Sequence, residues 1–345
     1  MNEKLEFSTY KRIVQDFIGP IVCEISEIEN GLINSTFLVR TVDKKYILQK
    51  INTSIFKSPE ILLRNYLKLN ELLSNSSYSR QKITLLPSSL GDYIVKKQNN
   101  EHWRLMEYIE QSKTFLKVPN PAIAYNAAAC FSEFYKSINR QTLALEEPID
   151  DFINFDKRIN SYLLSLTTAT AQRKETAKTI IDEVAPYLEL HKKWDEHIQN
   201  GMFAKHNIHA DPKISNILFN DANDAIAVID LDTVMNANLL YDFGDMARSY
   251  CNLLEEDDCT QANNFSNEIY IAVKKGFLSH LEDMLTPCEL ENLDYAAQLV
   301  VYIQAIRFLS DFLNGDVYYK TNYPTHNLDR AQNQFSLFSQ MKNLL

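Results

Sequence analysis

The spacing of hydrophobic and polar residues changes near residue 110, from a two-residue alternation to the three- and four-residue spacing of helices. Before that point one helical pattern occurs, PEILLRNYLKLNELL, which Ser58 and Pro59 open. Strands are predicted at five alternating segments: VCEISEIEN, STFLVRT, KKYILQKI, GDYIVKKQ and HWRLMEYIE. The first part of the chain is therefore predicted to form a small antiparallel sheet with one helix.

Helical patterns dominate from Pro121 onward, and a loop and hairpin at 203–232 interrupt them. The predicted helices cover 121–139, 174–199, 264–282 and 289–314. This order predicts an α+β fold of two lobes, which we place at residues 1–110 and 111–345. The 345 residues, 45% of them hydrophobic, suffice for a large core and two lobes.

Charge and cysteine content exclude several classes of protein. A net charge of −10 argues against a general nucleic-acid surface, which needs basic clusters. The polar start MNEKLEFSTYKR does not resemble a signal peptide. The most apolar helical segment, near 295–313, is predicted to be a core helix rather than a membrane span, because polar residues interrupt it: Gln298, Gln304, Arg307 and Asp311. The five scattered cysteines form no C-x-x-C pair, which favours reduced thiols in a cytoplasmic protein.

The strongest chemical signal is HADPKISN at 209–216, followed by an acid at Asp230 within AVIDLD. The spacing His209-x-Asp211-x-x-x-x-Asn216 matches the catalytic loop of kinase active sites. Mg²⁺ takes hard oxygen ligands from one or two side chains together with phosphates and water, and Asn216 and Asp230 supply such oxygens. A carboxylate must also accept the proton of an attacking hydroxyl. We therefore predict Asp211 as the catalytic base and Asn216 and Asp230 as metal ligands.

The residues between Asn216 and Asp230 predict how two ligands distant in sequence reach one ion. Two apolar runs, ILF and AIAVI, flank the turn-rich pentad NDAND, which is typical of a β-hairpin. A hairpin returns Asp230 to the neighbourhood of Asn216. The Asp-Phe-Gly triplet at 242–244 is a competing metal site, but it lies well past the hairpin. Asp242 and Asp245 instead predict the start of a helix, with Asp242 as its cap.

Together these features resemble the aminoglycoside phosphotransferase and choline kinase superfamily, and within it the N-acetylhexosamine 1-kinase group. The superfamily resemblance rests mainly on HADPKISNILF and VIDLDTVM. The narrower resemblance rests on weaker segments in the same order: NGLINSTFLVRT, YILQKIN with IFKSPE, WRLMEYIE, EPIDDF, LLYDFGDMAR and RFLSDFLNGDVYY. It implies a protein-kinase-like fold, with a nucleotide-binding first lobe that includes the hinge and a second lobe that carries the catalytic and substrate-binding residues.

The resemblance also implies ATP and Mg²⁺ as cofactors and further roles around the loop. It implies that Lys213, two residues after the base, neutralises the γ-phosphate, and the alternative is a solvated loop lysine. For His209 we favour a structural, hydrogen-bonded role over proton transfer. For Asp232 we favour bracing of the loop over contact with a second metal.

The nucleotide site has no glycine-rich loop, because the chain contains 7 glycines and neither a Walker motif nor G-x-G-x-x-G. NGLINST is predicted to serve instead, with Gly31 permitting a tight turn, and an ordinary hairpin turn is the alternative. Donors to phosphate oxygens come from Asn34, Ser35 and Thr36. The adenine site is predicted at the connector, with two backbone contacts: the Glu107 carbonyl and the Ile109 amide.

The sequence leaves two residue assignments near the phosphates undecided. Gln49 and Lys50 point to opposite faces of their strand, so only one of them faces the nucleotide. The following helix offers either Glu60 or Asn65 where kinases have a pairing glutamate.

The acceptor site is implied by the resemblance alone. Arg307 and Tyr318 near the C-terminus occupy positions where sugar-contacting residues are expected. Asp151 and Phe152 in EPIDDF are expected to line the same pocket. Arg307 interrupts an apolar helix, so a structural ion pair is an equal alternative, and Phe152 is alternatively a core residue. The group commonly has a histidine after the turn glycine, where this chain has Leu32.

The sequence therefore predicts an ATP- and Mg²⁺-dependent small-molecule kinase whose acceptor is the anomeric hydroxyl of N-acetylglucosamine or N-acetylgalactosamine. No A-P-E follows the metal loop and a helical pattern replaces an activation segment, which argues against a protein substrate. Two alternatives are a kinase for another metabolite or an aminoglycoside, and a nucleotide-binding pseudokinase. No nucleic-acid or membrane partner is expected, and the oligomeric state is not predicted.

Overall fold

The computed structural model describes residues 2–28, 33–260 and 264–345, and these residues form an α+β protein as predicted. It divides into two compact units. The first, which we call the sheet unit, comprises 1–113, 143–150 and 218–235, and the second, the helical unit, comprises 114–142, 151–217 and 236–345. Because two later segments join the sheet unit, a single division of the chain after residue 110 stays a prediction.

The sheet unit contains six strands: β1 (Glu24–Ile28), β2 (Ser35–Arg40), β3 (Lys45–Ile51), β4 (Leu85–Leu86), β5 (Val95–Lys96) and β6 (His102–Glu107). They form an antiparallel sheet in the order β1-β2-β3-β6-β4, with β5 paired to β6. Its two long helices are α1 (Asn2–Ile18) and α2 (Pro59–Ser74). Pro59 is in the first turn of α2, where a missing N–H costs nothing.

The two faces of this sheet differ in chemistry because side chains alternate along each strand. On one face Phe37, Leu48 and Leu105 are buried with Ile13 and Val14 of α1. On the other face lies a row of polar side chains that stand opposite one another in register: Thr36, Gln49 and Arg104. The sheet therefore carries a hydrophobic side and a side with functional groups.

A strand pair inside the segment 218–235 confirms the predicted hairpin. β8 (Ile217–Phe219) pairs with β9 (Ala225–Val228). The pentad between them is closed by a hydrogen bond from Asn220 N to Asp224 O at 3.0 Å, and Asn223 adopts φ +67°. Asn and Asp tolerate this left-handed conformation, which explains the turn at NDAND.

The helical unit contains most of the helices and one pair of short strands, β7 (His206–Ile208) with β10 (Met235–Ala237). Its helices are α3 (Pro121–Ile138), α4 (Phe155–Thr168), α5 (Ala171–Thr176), α6 (Lys178–Val184), α7 (Lys192–Gln199), α8 (Leu239–Tyr250), α9 (Asn267–Leu281), α10 (Pro287–Glu291), α11 (Leu293–Leu313) and α12 (His326–Leu344).

Helix α11 is the centre of the helical unit and packs against α4, α8 and α12. It is the one helix in the described part of the chain with the length and hydropathy to cross a membrane, yet 89% of its apolar window is buried by protein. Gly244 of α8 permits close packing, because a Cβ there would lie 2.6 Å from Val300 Cγ2 of α11. α11 is thus a core helix, as its polar residues predict.

One predicted helix is divided, one predicted strand is much shorter than expected, and one helix was not predicted. The segment 174–199 is not one helix but α5, α6 and α7 with a 3-10 turn at Ala185–Tyr187, where Pro186 cannot continue an α-helix. The segment GDYIVKKQ forms only the two-residue strand β5. Helix α1 was not predicted, although Tyr10, Ile13, Val14 and Phe17 follow helical spacing.

Candidate active site

The predicted catalytic loop follows β7 in the helical unit, and its carboxylate is held by two neighbours. Lys213 Nζ lies 2.8 Å from Asp211 Oδ2. Asn216 Nδ2 donates to the Asp211 carbonyl at 2.8 Å and to Oδ2 at 3.2 Å. Asn216 ends a short 3-10 turn, which brings its side chain back over the loop. Three of the predicted catalytic and metal-binding side chains are therefore in direct contact.

His209 is a structural residue, as favoured from the sequence. Its side chain is fully buried and its ring stands edge-on to Phe131 at 5.2 Å between centroids. Nδ1 accepts a hydrogen bond from the Asp211 amide at 3.3 Å, which assigns the ring proton to Nε2 in the neutral form. The imidazole thus supports the backbone of the base.

Asp242, the acid of the Asp-Phe-Gly triplet, holds the start of this loop. Its carboxylate accepts hydrogen bonds from His209 N at 2.7 Å, Ala210 N at 3.0 Å and Tyr135 Oη at 2.6 Å. Complete burial raises the pKa of this carboxyl to about 7. The prediction that Asp242 caps a helix was wrong: α8 begins at Leu239, and Asn238 caps it by accepting from Leu240 N.

Two candidate positions have strained backbone. Ala210, next to the base, adopts φ +65°, and Asp230, the predicted metal ligand, adopts φ +60°. Left-handed conformations are uncommon for residues other than glycine and occur where the surrounding structure enforces them, often at functional sites. At Ala210 the enforcing contact is the bond from its amide to Asp242.

Asp232 braces the sheet unit through a buried ion pair with Arg104. Arg104 Nη1 and Nη2 donate to the two Asp232 oxygens, each at 2.7 Å, and the two side chains are 8% and 4% exposed. Asn34 Nδ2 adds a third bond to Asp232 at 2.8 Å. These contacts agree with a bracing role for Asp232. The Asn34 side chain, which was predicted to contact phosphate, instead donates to Asp232.

The strand β3 positions that the sequence left open have different surroundings. Gln49 Oε1 accepts from Arg104 Nε at 3.0 Å and Nη2 at 2.7 Å, and Gln49 Nε2 donates to Thr36 Oγ1 at 3.1 Å. Lys50 instead pairs with Glu101 on the opposite face. Arg104 is a buried cation on the polar face. Sequence reasoning missed it, although a charge within the apolar strand HWRLME required a buried partner.

Other predicted nucleotide contacts are placed as follows. Asn65 is buried and bonds to both backbone groups of Glu146, at 2.8 and 3.0 Å, whereas Glu60 is exposed. Glu107 ends β6 opposite Tyr46, and Ile109 follows two residues later. Ser35 begins β2 and is exposed. The predicted turn at Gly31 and the substitution at Leu32 lie outside the described residues.

The four predicted acceptor residues all belong to the helical unit, and three of them share a neighbourhood. Phe152 packs edge-on to Tyr241 with ring centroids 6.4 Å apart. Arg307 Nη1 donates to Gln304 at 2.9 Å, and its guanidinium lies 5.8 Å from the Tyr319 ring centroid, beside Tyr318. Asp151 is more exposed, pairs with Lys157 at 2.7 Å and adopts φ +55°.

Three residues of this neighbourhood escaped prediction: Arg158, Tyr241 and Tyr319. Within the described chain Arg307 lies within 4.0 Å of no carboxylate, so the structural ion pair considered for it is not formed. The sequence signal for Arg158 is one basic residue on an amphipathic helix, and that signal is too common to identify a binding residue.

Asp232→Asn is expected to lower the free energy of unfolding by about 1.5–3 kcal/mol, because it removes the charge that compensates buried Arg104. Urea unfolding measures this difference. The matched control is Glu146→Gln, which breaks an equally bidentate but exposed pair with Arg64, at 2.6 Å for both bonds. The control should lose less than about 1 kcal/mol. Equal losses in the two variants would show that burial of the Arg104 pair has no special effect.

Comparisons with known proteins place this chain in a family. Residues 24–263, more than half of the chain, match the model of the phosphotransferase enzyme family, APH. Solved structures of similar fold include a microcompartment-associated aminopropanol kinase, with a TM-score of 0.67 and 14% identity over 98% of this chain and 97% of that one. Spectinomycin phosphotransferase in complex with ADP and spectinomycin has a TM-score of 0.63 and 9% identity, covering 97% of this chain and 98% of the other.

Amicoumacin kinase in complex with AMP-PNP, Ca²⁺ and Ami gives a TM-score of 0.63 and 12% identity over 97% of this chain and 96% of that one. At these identities the solved structures show the fold, which is the protein-kinase-like fold that the sequence predicts. The family match, together with the catalytic loop, is decisive for the class. The chain belongs to the phosphotransferase enzyme family.

Proposed function

We propose that this protein transfers the γ-phosphoryl group of ATP to a hydroxyl group of a small molecule. The observation that carries the proposal is the held position of the Asp211 carboxylate, on a loop whose start is bonded to Asp242. In the proposed reaction the acceptor oxygen attacks the γ-phosphorus while the bond from that phosphorus to the bridging oxygen breaks, and ADP leaves. The hydroxyl proton passes to Asp211.

Lys213 has two proposed roles in that reaction. Its ammonium group lies 2.8 Å from Asp211 Oδ2 and holds this carboxylate in place. The same positive charge, two residues from the base, is suited to neutralise the γ-phosphate as the reaction proceeds. A solvated loop lysine is less consistent with its side-chain exposure of 25%.

We propose Mg²⁺ as the metal ion and Asn216 and Asp230 as its protein ligands. The donor set fits, because both side chains offer hard oxygens. The bonds from Asn216 to Asp211 use the side-chain nitrogen of Asn216 and not its oxygen. No group of three or more His, Cys, Asp or Glu in the described chain is arranged to hold a metal, which agrees with an ion completed by phosphates and water. When bound, this ion neutralises charge on the β- and γ-phosphates. The ADP and the AMP-PNP with Ca²⁺ of the two relatives support a nucleotide and a divalent ion.

The nucleotide contacts proposed from the sequence are Asn34, Ser35, Thr36, Gln49 or Lys50, Glu107 and Ile109. Of these, Asn34 and Gln49 bond to Asp232 and Arg104, so we assign them to holding that ion pair in place. Arg104 supplies the positive charge on this face of the sheet.

For the acceptor we propose the anomeric hydroxyl of an N-acetylhexosamine, with Asp151, Phe152, Arg307 and Tyr318 around the sugar. The support is the resemblance of several sequence segments to that group, together with the aromatic and guanidinium side chains of the acceptor neighbourhood. Aromatic faces suit the apolar face of a sugar, and guanidinium groups suit its oxygens.

ADP release with a panel of acceptors tests the proposal. The panel contains N-acetylhexosamines, aminoglycosides, choline, homoserine and methylthioribose, each with Mg²⁺ and ATP. We expect turnover with a hexosamine and formation of an acid-labile sugar 1-phosphate. Turnover only with another acceptor would reject the hexosamine while keeping the kinase, and nucleotide binding without turnover on any acceptor would indicate a pseudokinase.

A further inference from the structure

Two arginines of the acceptor neighbourhood, on the packed helices α4 and α11, lack a compensating carboxylate. We call Arg158 of α4 and Arg307 of α11 the guanidinium pair. Arg158 Nη2 donates only to the backbone carbonyls of Asp151 and Phe152, at 3.3 and 3.2 Å. Its Nε is buried and makes no hydrogen bond. Arg307 donates to the neutral Gln304 side chain at 2.9 Å. Among the described residues, neither guanidinium lies within 4.0 Å of an acidic oxygen.

Other partly buried arginines of the helical unit show the contrast. Arg248 is 14% exposed and pairs with Asp245 at 2.7 Å, and Arg173 pairs with Asp316 at 2.7 Å. Asp156, the acid nearest in sequence to Arg158, lies 3.5 Å from His191 Nε2 and accepts from Asn160 at 2.9 Å. Asp151, whose backbone carbonyl Arg158 contacts, is engaged by Lys157 at 2.7 Å and by Asn154 at 3.2 Å. The protein therefore compensates buried arginines nearby but leaves the guanidinium pair without an acid.

The positive charge of Arg307 acts on Arg158. Burial, and then the positive charge of Arg307, lower the pKa of Arg158. The neighbouring phenols are Tyr241, Tyr318 and Tyr319, and Arg248, which pairs with Asp245, is a further neighbour of Arg307. Burial lowers the pKa of Arg307, but these phenols raise it overall. Like charges with few polar partners in a partly buried place are unfavourable unless an anion is bound between them. A guanidinium also matches carboxylate and phosphate groups in bidentate geometry.

We propose that the guanidinium pair binds an anionic group, a carboxylate or a phosphate, carried by the acceptor. This rests on the proposed function, since it names the class of acceptor for the same reaction. The acceptor is then a hydroxyl compound with a negative charge away from the reacting hydroxyl. Within the N-acetylhexosamines it is an acidic derivative rather than the neutral sugar, and cationic acceptors are repelled by the pair.

Steady-state kinetics with three matched sugars tests the proposal: neutral N-acetylglucosamine, its derivative with an ether-linked carboxylate at O3, and N-acetylglucosamine 6-phosphate. We expect kcat/KM for one anionic sugar to exceed that of the neutral sugar by about 10-fold or more, and the two anionic sugars distinguish carboxylate from phosphate. A neutral sugar used as well as or better than both anionic sugars would overturn the proposal and leave the kinase intact.

Variants of the pair separate binding from a structural role. Arg158→Gln and Arg307→Gln should each raise KM for the preferred anionic sugar by about 10- to 100-fold, the loss expected for a charged hydrogen-bonding partner, with kcat changed much less. Arg→Lys at either position should restore part of that affinity. Lys178→Gln, which removes an exposed charge from α6, serves as control and should change neither parameter. A KM that rises equally for neutral and anionic sugars would contradict an anion site.

Thermal unfolding gives an independent readout that needs no turnover. Arg158→Gln removes bonds to two backbone carbonyls and Arg307→Gln removes the bond to Gln304, so each variant is compared with its own ligand-free melting temperature. Binding of N-acetylglucosamine 6-phosphate or the carboxylate sugar should raise the melting temperature of the wild type. The rise should disappear in both glutamine variants and persist in Lys178→Gln. Anion-induced stabilisation without any catalysis would support the site and reject the proposed function. The absence of stabilisation by both anionic sugars would reject the site.

Discussion

Asp211→Asn is expected to lower kcat by about 10²- to 10⁴-fold, because the amide cannot accept the proton of the acceptor hydroxyl. The substitution is nearly isosteric and retains an oxygen for the Lys213 ammonium and the Asn216 amide, which contact Oδ2 in the wild type. We therefore expect unchanged folding and unchanged ATP affinity. Single-turnover phosphoryl transfer with saturating ATP and acceptor measures the chemical step directly.

Asp221→Asn is the control for the change in charge, since Asp221 is exposed in the turn of the β8–β9 hairpin. It should retain wild-type turnover. If Asp211→Asn also transfers phosphate at the wild-type rate, Asp211 is not the base. If both variants lose activity, the loss arises from the change in charge rather than from proton transfer.

Asp242→Asn is expected to lower the free energy of unfolding by about 3–5 kcal/mol, because at least one of three buried donors loses its acceptor and the new amide N–H₂ faces other donors. The carboxylate now accepts from His209 N, Ala210 N and Tyr135 Oη. A loop released at Ala210 also misplaces Asp211, so kcat should fall by about 10²-fold in the folded variant. Urea unfolding and steady-state kinetics measure the two effects.

The same variant alters how stability depends on pH. Burial raises the pKa of Asp242 from 3.8 to about 7, so the folded protein retains a proton that the unfolded chain releases. The unfolded state therefore binds fewer protons in that range, and the contribution of this group to stability decreases as pH rises from 3.8 to about 7. Asp242→Asn should lack this decrease. Asp283→Asn, which breaks only the exposed pair with Lys136, should retain it and lose little stability.

The parts of the site that the sequence predicted are those built from neighbouring residues. The catalytic loop and the hairpin at NDAND depend on short spacings and on turn residues, which act locally. Asp211, Lys213 and Asn216 therefore contact one another as the spacing implies. Their roles in binding and catalysis stay predictions until the variants are measured.

The parts that escaped prediction depend on partners far apart in the chain. Arg104 and Asp232 are separated by 128 residues, and Asp242 lies 107 residues from Tyr135. The local sequence pattern does not predict which acidic and basic side chains form an ion pair. The register of the sheet and the packing of the helices determine these pairs. The same holds for Arg158, which comes near Arg307 only through the packing of α4 on α11.

The residues at 242–244 are each constrained by packing within the helical unit. Asp242 has three buried donors, Phe243 is fully buried with its ring 5.1 Å from that of Phe277, and at Gly244 even a methyl group would collide with Val300. Selection for packing alone can therefore conserve all three residues. An alignment in which Asp-Phe-Gly is invariant would reflect selection for loop support and close helix contact, and such invariance would not be evidence of metal binding.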